Sequence, residues 1–218
     1  LQFTGTGQKI ILRRSRGLAP NYFPNPFSAV KETVLATGGE LKAAFAITNN
    51  NNLYISQYLG DQSAADANEV YQNTVRYFTG LIQSEPTTIL VDKHPAYAVA
   101  SIGREYASEH NLANPVSIQH HEAHIAAVLA ENGLLSSRKP ILGFAWDGTG
   151  YGDDGQIWGG EFFIFDQQEI QHHTQLNYFP VLMGDKMAKE PRLSALSLCS
   201  ANENVHSLLS HKFSSTEY

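Results

Sequence analysis

The chain has 218 residues and a formal net charge of −6, and 42% of its residues are hydrophobic while 17% are charged. A chain of this length and composition can bury a substantial core, as one large domain or as one and a half smaller ones. The negative charge argues against a nucleic-acid-binding surface, and no apolar run approaches the ~20 residues of a membrane-spanning helix. The single cysteine, Cys199, excludes a disulfide framework or a cysteine-rich zinc site within the chain, which fits a cytoplasmic protein.

The first 27 residues have the character of a domain end followed by a linker. Residues 9–17 predict a short strand, whereas residues 18–27 contain three prolines, which fix φ and remove backbone donors. We therefore expect a domain boundary near Ser28. Because the chain begins with Leu1 rather than methionine, we also expect it to be part of a longer protein.

Residues 28–140 predict alternating strands and helices. Strands are expected at 33–37, 43–48, 53–58, 88–91 and 116–118, and helices at 65–84, 96–110 and 120–131. The consecutive asparagines at 49–52 predict the turn between the second and third strands, since asparagine tolerates positive φ.

The pattern restarts after residue 140. A buried strand at 141–146 is followed by a glycine-rich turn at 148–155 and by strands at 157–165 and 170–176. A strand, a glycine turn and a hairpin thus occur twice. We predict a duplicated α/β fold of the actin-like ATPase (ribonuclease H-like) type, whose lobes face each other. Residues 28–140 would form the first lobe and residues 141–218 an incomplete second lobe.

Two imidazoles lie four positions apart in the helix predicted for residues 120–131. Four residues advance an α-helix by about 400°, so the side chains of His120 and His124 leave the same face. Neutral imidazoles at this spacing suit zinc, iron or nickel, with a third ligand supplied from elsewhere. The alternative is a pair of surface or half-buried histidines on an amphipathic helix. His121 lies between them and could equally orient a ligand or a substrate.

The turn after the strand at 141–146 is rich in glycine and aspartate. Glycines let backbone N–H groups approach a phosphate closely, which favours nucleotide binding. The candidate contacts are Gly148, Thr149, Gly150 and Gly152. Residues 150–155 match G-x-G-x-x-G, but a dinucleotide fingerprint must open a helix and a strand is predicted here. Asp147 ends the buried strand and is placed to hold metal-bound water, a ribose or, through a cation, a phosphate. The alternative is an ordinary hairpin turn.

The predicted first lobe has a matching glycine turn. Gly38 and Gly39 follow its first strand, and Lys42 could neutralise a phosphate bound there. The alternative for Lys42 is a solvated hairpin lysine. The two turns are therefore expected to face each other across a nucleotide-binding cleft.

Two further segments are candidates for the same cleft. Gly160 and Glu161 belong to a Gly-Gly-Glu run inside a predicted strand, where paired glycines usually mark a bulge or a close approach. Residues 92–97 follow a buried strand and precede a helix, which is the usual position of site residues in α/β sheets. The alternative for 92–97 is a helix entry with a proline in the first turn.

Five motifs in this order closely resemble the HypF carbamoyltransferase family, which matures nickel–iron hydrogenases. They are T-G-G-E-L-K at 37–42, D-K-H-P-A-Y at 92–97, Q-H-H-E-A-H-I-A-A at 119–127, D-G-T-G-Y-G-D-D-G at 147–155 and I-W-G-G-E-F at 157–162. The resemblance covers about residues 9–200. Residues 1–27 resemble the end of that family's YrdC-like domain with a proline-rich linker. The remainder resembles its transferase domain, which is related to tRNA threonylcarbamoyl transferases.

The resemblance implies a reaction in two parts. The YrdC-like domain would make carbamoyl adenylate from carbamoyl phosphate and ATP. The transferase domain would pass the carbamoyl group to the C-terminal cysteine of HypE, where dehydration gives the cyanide ligand of the hydrogenase iron. In related domains the first and last histidines of H-x-x-x-H bind a divalent metal, zinc or iron, with an aspartate from near the C-terminus. His120 and His124 occupy those places, and Asp147 and His121 are the candidate catalytic residues.

The chain also departs from the family pattern. Glu122 stands where the family usually has a third histidine, and residues 189–193 are a loose version of Arg-Glu-Pro-Trp-Arg. The expected C-terminal metal ligand is missing from this chain. Two other interpretations remain: another carbamoyl or threonylcarbamoyl transferase of the same fold, or a non-catalytic nucleotide-binding fragment. We expect no membrane association.

Overall fold

The computed structural model describes residues 2–3, 5–7, 9–10, 21–27, 30–148, 150–184 and 186–214. Its strands are β1 (Gln2–Phe3), β2 (Lys9–Ile10), β3 (Asn21–Pro24), β4 (Val34–Ala36), β5 (Ala46–Asn49), β6 (Asn52–Ile55), β7 (Thr88–Asp92), β8 (Val116–Ile118), β9 (Ile141–Ala145), β10 (Gly150–Tyr151), β11 (Ile157–Trp158), β12 (Glu161–Asp166) and β13 (Glu169–Gln175). Its helices are α1 (Ala65–Ile82), α2 (Ala98–Glu109), α3 (His120–Glu131), α4 (Lys186–Lys189), α5 (Pro191–Leu198) and α6 (Val205–Leu209), with a 3₁₀ turn at Ser210–Lys212.

The larger sheet has six strands in the order β3-β6-β5-β4-β7-β8. β4, β7 and β8 run parallel, while β5, β6 and β3 are antiparallel to their neighbours. Helices α1 and α2 cover one face, and their buried side chains form the first hydrophobic core with those of the strands. Its fully buried members include Leu35, Phe45, Ile47, Tyr71 and Val99. The parallel strands matter for the site, because β7 and β8 end at the same edge of this sheet.

One strand of this sheet lies in the segment that the sequence predicted as a linker. Residues Asn21–Pro24 form β3, which pairs antiparallel with β6. Proline is tolerated in edge strands, and β3 is an edge strand. The linker prediction is therefore wrong for these four residues, whereas residues 11–20 and Ser28 lie outside the described part of the chain. The proposed domain boundaries stay a prediction.

The second sheet has three antiparallel strands in the order β13-β12-β9. The single strand predicted for 157–165 is interrupted, because Gly159 and Gly160 separate β11 from β12. A Cβ atom on Gly160 would lie 2.7 Å from Cδ1 of Leu176, so this glycine permits a close approach. β11 instead pairs with β10 of the glycine-rich turn in a separate two-stranded ribbon.

Helix α3 joins the two sheets. It starts directly after β8 of the first sheet, and its body packs on the second sheet. Ile125 and Leu129 of α3 belong to a second hydrophobic core with residues of β9, β11 and β12. Gly143 of β9 lets the helix approach, since a Cβ there would lie 2.8 Å from Ile125 Cδ1. The first turn of α3 therefore lies between the two cores.

The mixed α/β class is confirmed by the element order. Each sheet contains an antiparallel three-stranded unit of consecutive strands, β4-β5-β6 in the first and β9-β12-β13 in the second, apart from the β10–β11 ribbon. The interpretation of these units as duplicated actin-like lobes remains a prediction. Helices α4 to α6 follow the second sheet. Among the described residues, none of the helices combines the length and the apolar character needed to cross a membrane.

Candidate functional site

The histidine helix starts at the residue that the sequence predicted. α3 begins at His120, and the side chain of Gln119 caps it by accepting hydrogen bonds from the backbone N–H groups of His121 and Glu122. Such a cap satisfies donors that the first turn of a helix leaves free. The histidines are thus held at a defined helix start.

An aspartate of the neighbouring strand fixes His120. The last residue of β7, Asp92, accepts a hydrogen bond from His120 Nδ1 at 2.6 Å. Its other oxygen accepts from the backbone N–H of His94 at 2.8 Å. The Asp92 side chain is only 6% exposed. A carboxylate held in this way orients the imidazole and directs its Nε2 away from β7.

Three ligand-type atoms from α3 and the glycine-rich turn converge. His120 Nε2 lies 3.2 Å from His124 Nε2 and 3.2 Å from Asp147 Oδ2, and the distance from His124 Nε2 to Asp147 Oδ2 is 3.9 Å. Ligand atoms about 2.0–2.2 Å from a four-coordinate zinc lie roughly 3.3–3.6 Å from one another. The two imidazoles and the carboxylate therefore suit a divalent metal in both donor type and spacing.

The electrostatics show how strongly these groups interact. The hydrogen bonds to Asp147 and Asp92 raise the pKa of His120 to about 9 despite its burial. The same contact with His120 lowers the pKa of Asp147 to about 2. Burial and the neighbouring His120 lower the pKa of His124. Without a cation, His120 carries the proton that a metal ion would have to displace.

His121 lies beside the same cluster and is itself covered by the protein. It is fully buried, and its Nε2 lies 3.9 Å from Asp147 Oδ2. Burial lowers its pKa. Gly150 packs directly on the ring, and a Cβ on this glycine would overlap it, lying 2.5 Å from His121 Nε2. The glycine is thus required by contact with the histidine.

The first-lobe turn reaches the same cluster through Gly39. A Cβ on Gly39 would lie 3.5 Å from His120 Cε1. Gly38 has a φ of +70°, which favours glycine, and a side chain there would overlap the carbonyl oxygen of Ala44. Gly39 beside His120, and Gly148 next to Asp147 in sequence, thus flank the convergent atoms.

Gly152, Lys42 and Thr149 are also among the residues predicted to contact a nucleotide. Gly152 faces the Trp158 indole, which a Cβ would overlap, so packing accounts for it. Lys42 is exposed and its backbone N–H donates to Asp61, and among the described residues its side chain does not join the cluster. Thr149 lies outside the described residues.

Glu161 has partners that explain its burial without a cofactor. Its side chain is 1% exposed, and Oε1 accepts from the backbone N–H groups of Gly159 and Gly160. His172 Nε2 lies 2.8 Å from Oε2, and the His172 ring stacks on Trp158. Glu161 thus stabilises the two-residue interruption between β11 and β12 by hydrogen bonding to its backbone.

Acidic residues of the glycine-rich turn are also paired. Asp154 accepts from Trp158 Nε1 at 3.0 Å and from the Tyr178 hydroxyl at 2.8 Å. Asp153 forms an ion pair with Lys93 at 2.7 Å. Because Lys93 follows β7, this pair ties the first sheet to the turn that carries Asp147.

Two residues of the 92–97 motif were not among the predicted site residues. Asp92 contacts His120, and Tyr97 lies near enough that Asp92 and Asp147 add to the effect of burial in raising its phenol pKa. The position of the motif after a buried strand was the available signal. The geometry also offers Asp147 as a third metal ligand, where the sequence assigned it a catalytic role.

Two family models match the chain. The HypF Kae1-like domain matches residues 29–131, and the second subdomain of the carbamoyltransferase Kae1-like domain matches residues 143–217. The chain belongs to the HypF carbamoyltransferase family. The predicted family resemblance is therefore confirmed.

Curated relatives agree with this assignment. The chain is 40% identical over 193 residues to "Carbamoyltransferase HypF" of Synechocystis sp., covering 88% of this chain and 24% of the relative. It is 36% identical over 188 residues to "Carbamoyltransferase HypF2" of Cupriavidus necator, covering 86% and 23%. The chain thus spans about a quarter of the length of the curated relatives that it matches.

Solved structures have the same fold. A full-length HypF in its phosphate- and nucleotide-bound form matches with a TM-score of 0.79 at 29% identity, covering 94% of this chain and 26% of that one. HypF from T. kodakarensis matches with a TM-score of 0.79 at 32% identity, covering 89% and 25%.

Proposed function

We propose that this chain forms the transferase part of a HypF-type carbamoyltransferase. It would receive carbamoyl adenylate, which the complete protein makes from carbamoyl phosphate and ATP, and pass the carbamoyl group to the C-terminal cysteine of a HypE-type acceptor protein in the cytoplasm. The observation that carries the proposal is the convergence of His120, His124 and Asp147 beside Gly39 and Gly148 in a chain of this family.

The donor set fits a divalent cation, zinc or iron, held by His120, His124 and Asp147. When bound, such an ion supplies Lewis-acid polarisation of the carbamoyl carbonyl. Asp92 holds His120 in place through Nδ1 and so presents Nε2 to the ion. His94 fixes Asp92 in turn through its backbone N–H.

Charge also favours a cation here. Asp92 and Asp147 are two carboxylates with one protonated His120 between them, so a net negative charge remains and an anionic adenylate would be repelled. A divalent ion in place of the His120 proton would remove the excess negative charge. Backbone N–H groups of the glycine turns could then contact the phosphate, as glycine turns commonly do.

The experiment uses a chimera in which this chain replaces the matching segment of the Synechocystis HypF carbamoyltransferase. Two activities are measured: ATP consumption dependent on carbamoyl phosphate, and carbamoylation of a HypE-type acceptor. We expect Asp147→Ala to reduce acceptor carbamoylation by on the order of 100-fold or more while ATP consumption persists. Asp166→Ala is the matched control, because Asp166 ends β12 as Asp147 follows β9.

The outcomes separate the alternatives. If both activities of Asp147→Ala fall together, the proposed division of roles is wrong. If neither falls, Asp147 is a structural turn residue. A wild-type chimera that binds nucleotide but never carbamoylates the acceptor would favour the non-catalytic interpretation.

A further inference from the structure

The side-chain amide of Gln119 has only one orientation that its contacts permit. Its Oε1 faces the backbone N–H groups of His121 and Glu122, which can only donate, so the oxygen must lie on this side. Its Nε2 therefore points the other way, where it donates to the carbonyl oxygen of Tyr151 at 2.9 Å. The helix cap thus removes the usual ambiguity between the two amide atoms.

The same amide nitrogen determines which nitrogen of His121 carries the proton. Gln119 Nε2 lies 3.3 Å from His121 Nδ1, and an amide nitrogen can only donate. His121 Nδ1 must therefore accept, which excludes a proton there. In a neutral imidazole the remaining proton is then on Nε2.

The neighbouring histidine has the opposite arrangement. His120 Nδ1 faces a carboxylate oxygen of Asp92, which can only accept, so Nδ1 carries a proton. Its Nε2 is then the nitrogen available to a metal ion. The two adjacent residues thus place their Nε2 atoms 3.2 Å and 3.9 Å from Asp147 Oδ2: His120 would give up its Nε2 proton when a metal ion binds, whereas His121 keeps its N–H group.

The N–H group of His121 lacks an acceptor among the described residues. Its Nε2 is buried and without a hydrogen-bond partner. The nearest charged oxygen, Asp147 Oδ2, lies 3.9 Å away, beyond hydrogen-bonding distance. Buried polar groups in proteins are nearly always paired, and an unpaired one beside a ligand cluster points to a partner outside the described residues, such as a bound substrate.

We propose that His121 is a preset hydrogen-bond donor for a substrate carbonyl oxygen, and that Gln119 is the positioning residue that keeps it a donor. This inference rests on the proposed function, in which the oxygen belongs to the carbamoyl group. Donors aimed at a carbonyl oxygen stabilise the negative charge that develops there during acyl transfer. His121 is accordingly neither a metal ligand nor a general base, because its Nε2 has no free lone pair.

The tautomer can be measured without any activity. The probe is the 218-residue protein labelled with ¹⁵N, metal-free at neutral pH, with His121 signals assigned by their loss in His121→Gln. We expect the long-range ¹H–¹⁵N pattern of an imidazole protonated at Nε2. Gln119→Glu keeps an oxygen for the helix cap but replaces the donor by an acceptor, so the proton should move to Nδ1. A wild-type His121 protonated at Nδ1, or at both nitrogens, would overturn the proposal even if the variant fails to fold.

The proposed role of His121 in carbamoyl transfer is tested in the Synechocystis chimera loaded with zinc. We expect His121→Leu to lower kcat for acceptor carbamoylation by on the order of 100–1,000-fold with zinc content unchanged. His121→Gln should recover at least roughly tenfold of that loss, because its amide nitrogen can reach the position of Nε2 and donate. His173→Leu is the matched control, since His173 lies exposed on β13.

The zinc content and the activities of these variants decide the role of His121. Loss of zinc in His121→Leu would make His121 a ligand and overturn the proposal, as would equal activity of wild type and His121→Leu. A fall in activity that His121→Gln does not relieve would overturn the donor role. A wild-type chimera without carbamoyl transfer would refute the proposed function, while the NMR measurement would still decide the tautomer.

Discussion

We expect Gly150→Ala to destabilise the protein, because the added Cβ would overlap the His121 ring. Gly150 lies in strand β10, and it is the packing there that excludes a side chain. The added Cβ would lie 2.5 Å from His121 Nε2 and 3.1 Å from Nδ1. Cε1 of the ring would lie closer still, so an ordinary contact of about 3.5 Å requires the ring or the strand to move by more than about 1 Å. Both are fixed, since His121 is fully buried and Gly150 pairs with Trp158 across the ribbon.

The expected cost follows from overpacking. Extra atoms forced into a well-packed site destabilise a protein by about 1–3 kcal/mol. With a urea m-value of about 2–3 kcal/mol/M, Gly150→Ala should lower the unfolding midpoint by roughly 0.3–1.5 M. The matched control is Gly148→Ala in the same turn, where an added Cβ would have no neighbour within 4 Å and the midpoint should stay unchanged.

Tryptophan fluorescence is the suitable assay. The protein has two tryptophans, and Trp158 is 4% exposed in the second core while Trp146 is 77% exposed. In a Trp146→Phe background, the fluorescence change reports the unfolding of the core next to His121. Equal midpoints for the Gly150 and Gly148 variants would refute the packing argument.

Three further predictions concern charge. Asp92→Asn should weaken zinc binding by about 10–100-fold, measured by competition with a chelator, because an amide cannot accept from both His94 N–H and His120 Nδ1. The raised pKa of His120, about 9, stabilises the metal-free protein fully below about pH 6.5, and this contribution is lost as the pH rises through 9. Allowing for partial exposure, we expect urea titrations to show a loss of about 1–2 kcal/mol across that window, and a flat profile for His120→Gln would be its control. Glu161→Gln should lower stability by about 1–3 kcal/mol in the same titrations, because the amide replaces a buried, fully bonded carboxylate; an unchanged midpoint would contradict the assigned structural role.

The sequence predicted those features that depend on local periodicity. The bounds of α3 and β8 agree with the structure, because capping and helical spacing act within a few residues. The strand at Asn21–Pro24 was missed, because its prolines suggested a linker and its partner β6 lies about thirty residues later in the chain. Pairing with a distant edge strand leaves little local signal.

The same limit applies to the site. His120 and His124 could be paired from their spacing, whereas Asp92 reaches His120 only because β7 and β8 are parallel neighbours ending at one edge. The glycine contacts at Gly39 and Gly150 likewise depend on which side chain packs opposite. Lys42 was inferred from charge alone, and among the described residues its side chain makes no contact with the cluster that supports that role.

The position of α3 between two hydrophobic cores has a consequence for how the protein unfolds. Asp92 belongs to the first sheet, and Asp147 follows the first strand of the second, with His120 between them. A metal ion bound to His120 and Asp147 would link the two halves of the molecule. At a free metal concentration of 100 times Kd, it would add about 2.7 kcal/mol to the stability of the folded protein. Removing the metal with a chelator would then weaken the contact between the two halves before either half unfolds. A single cooperative unfolding transition would separate into two.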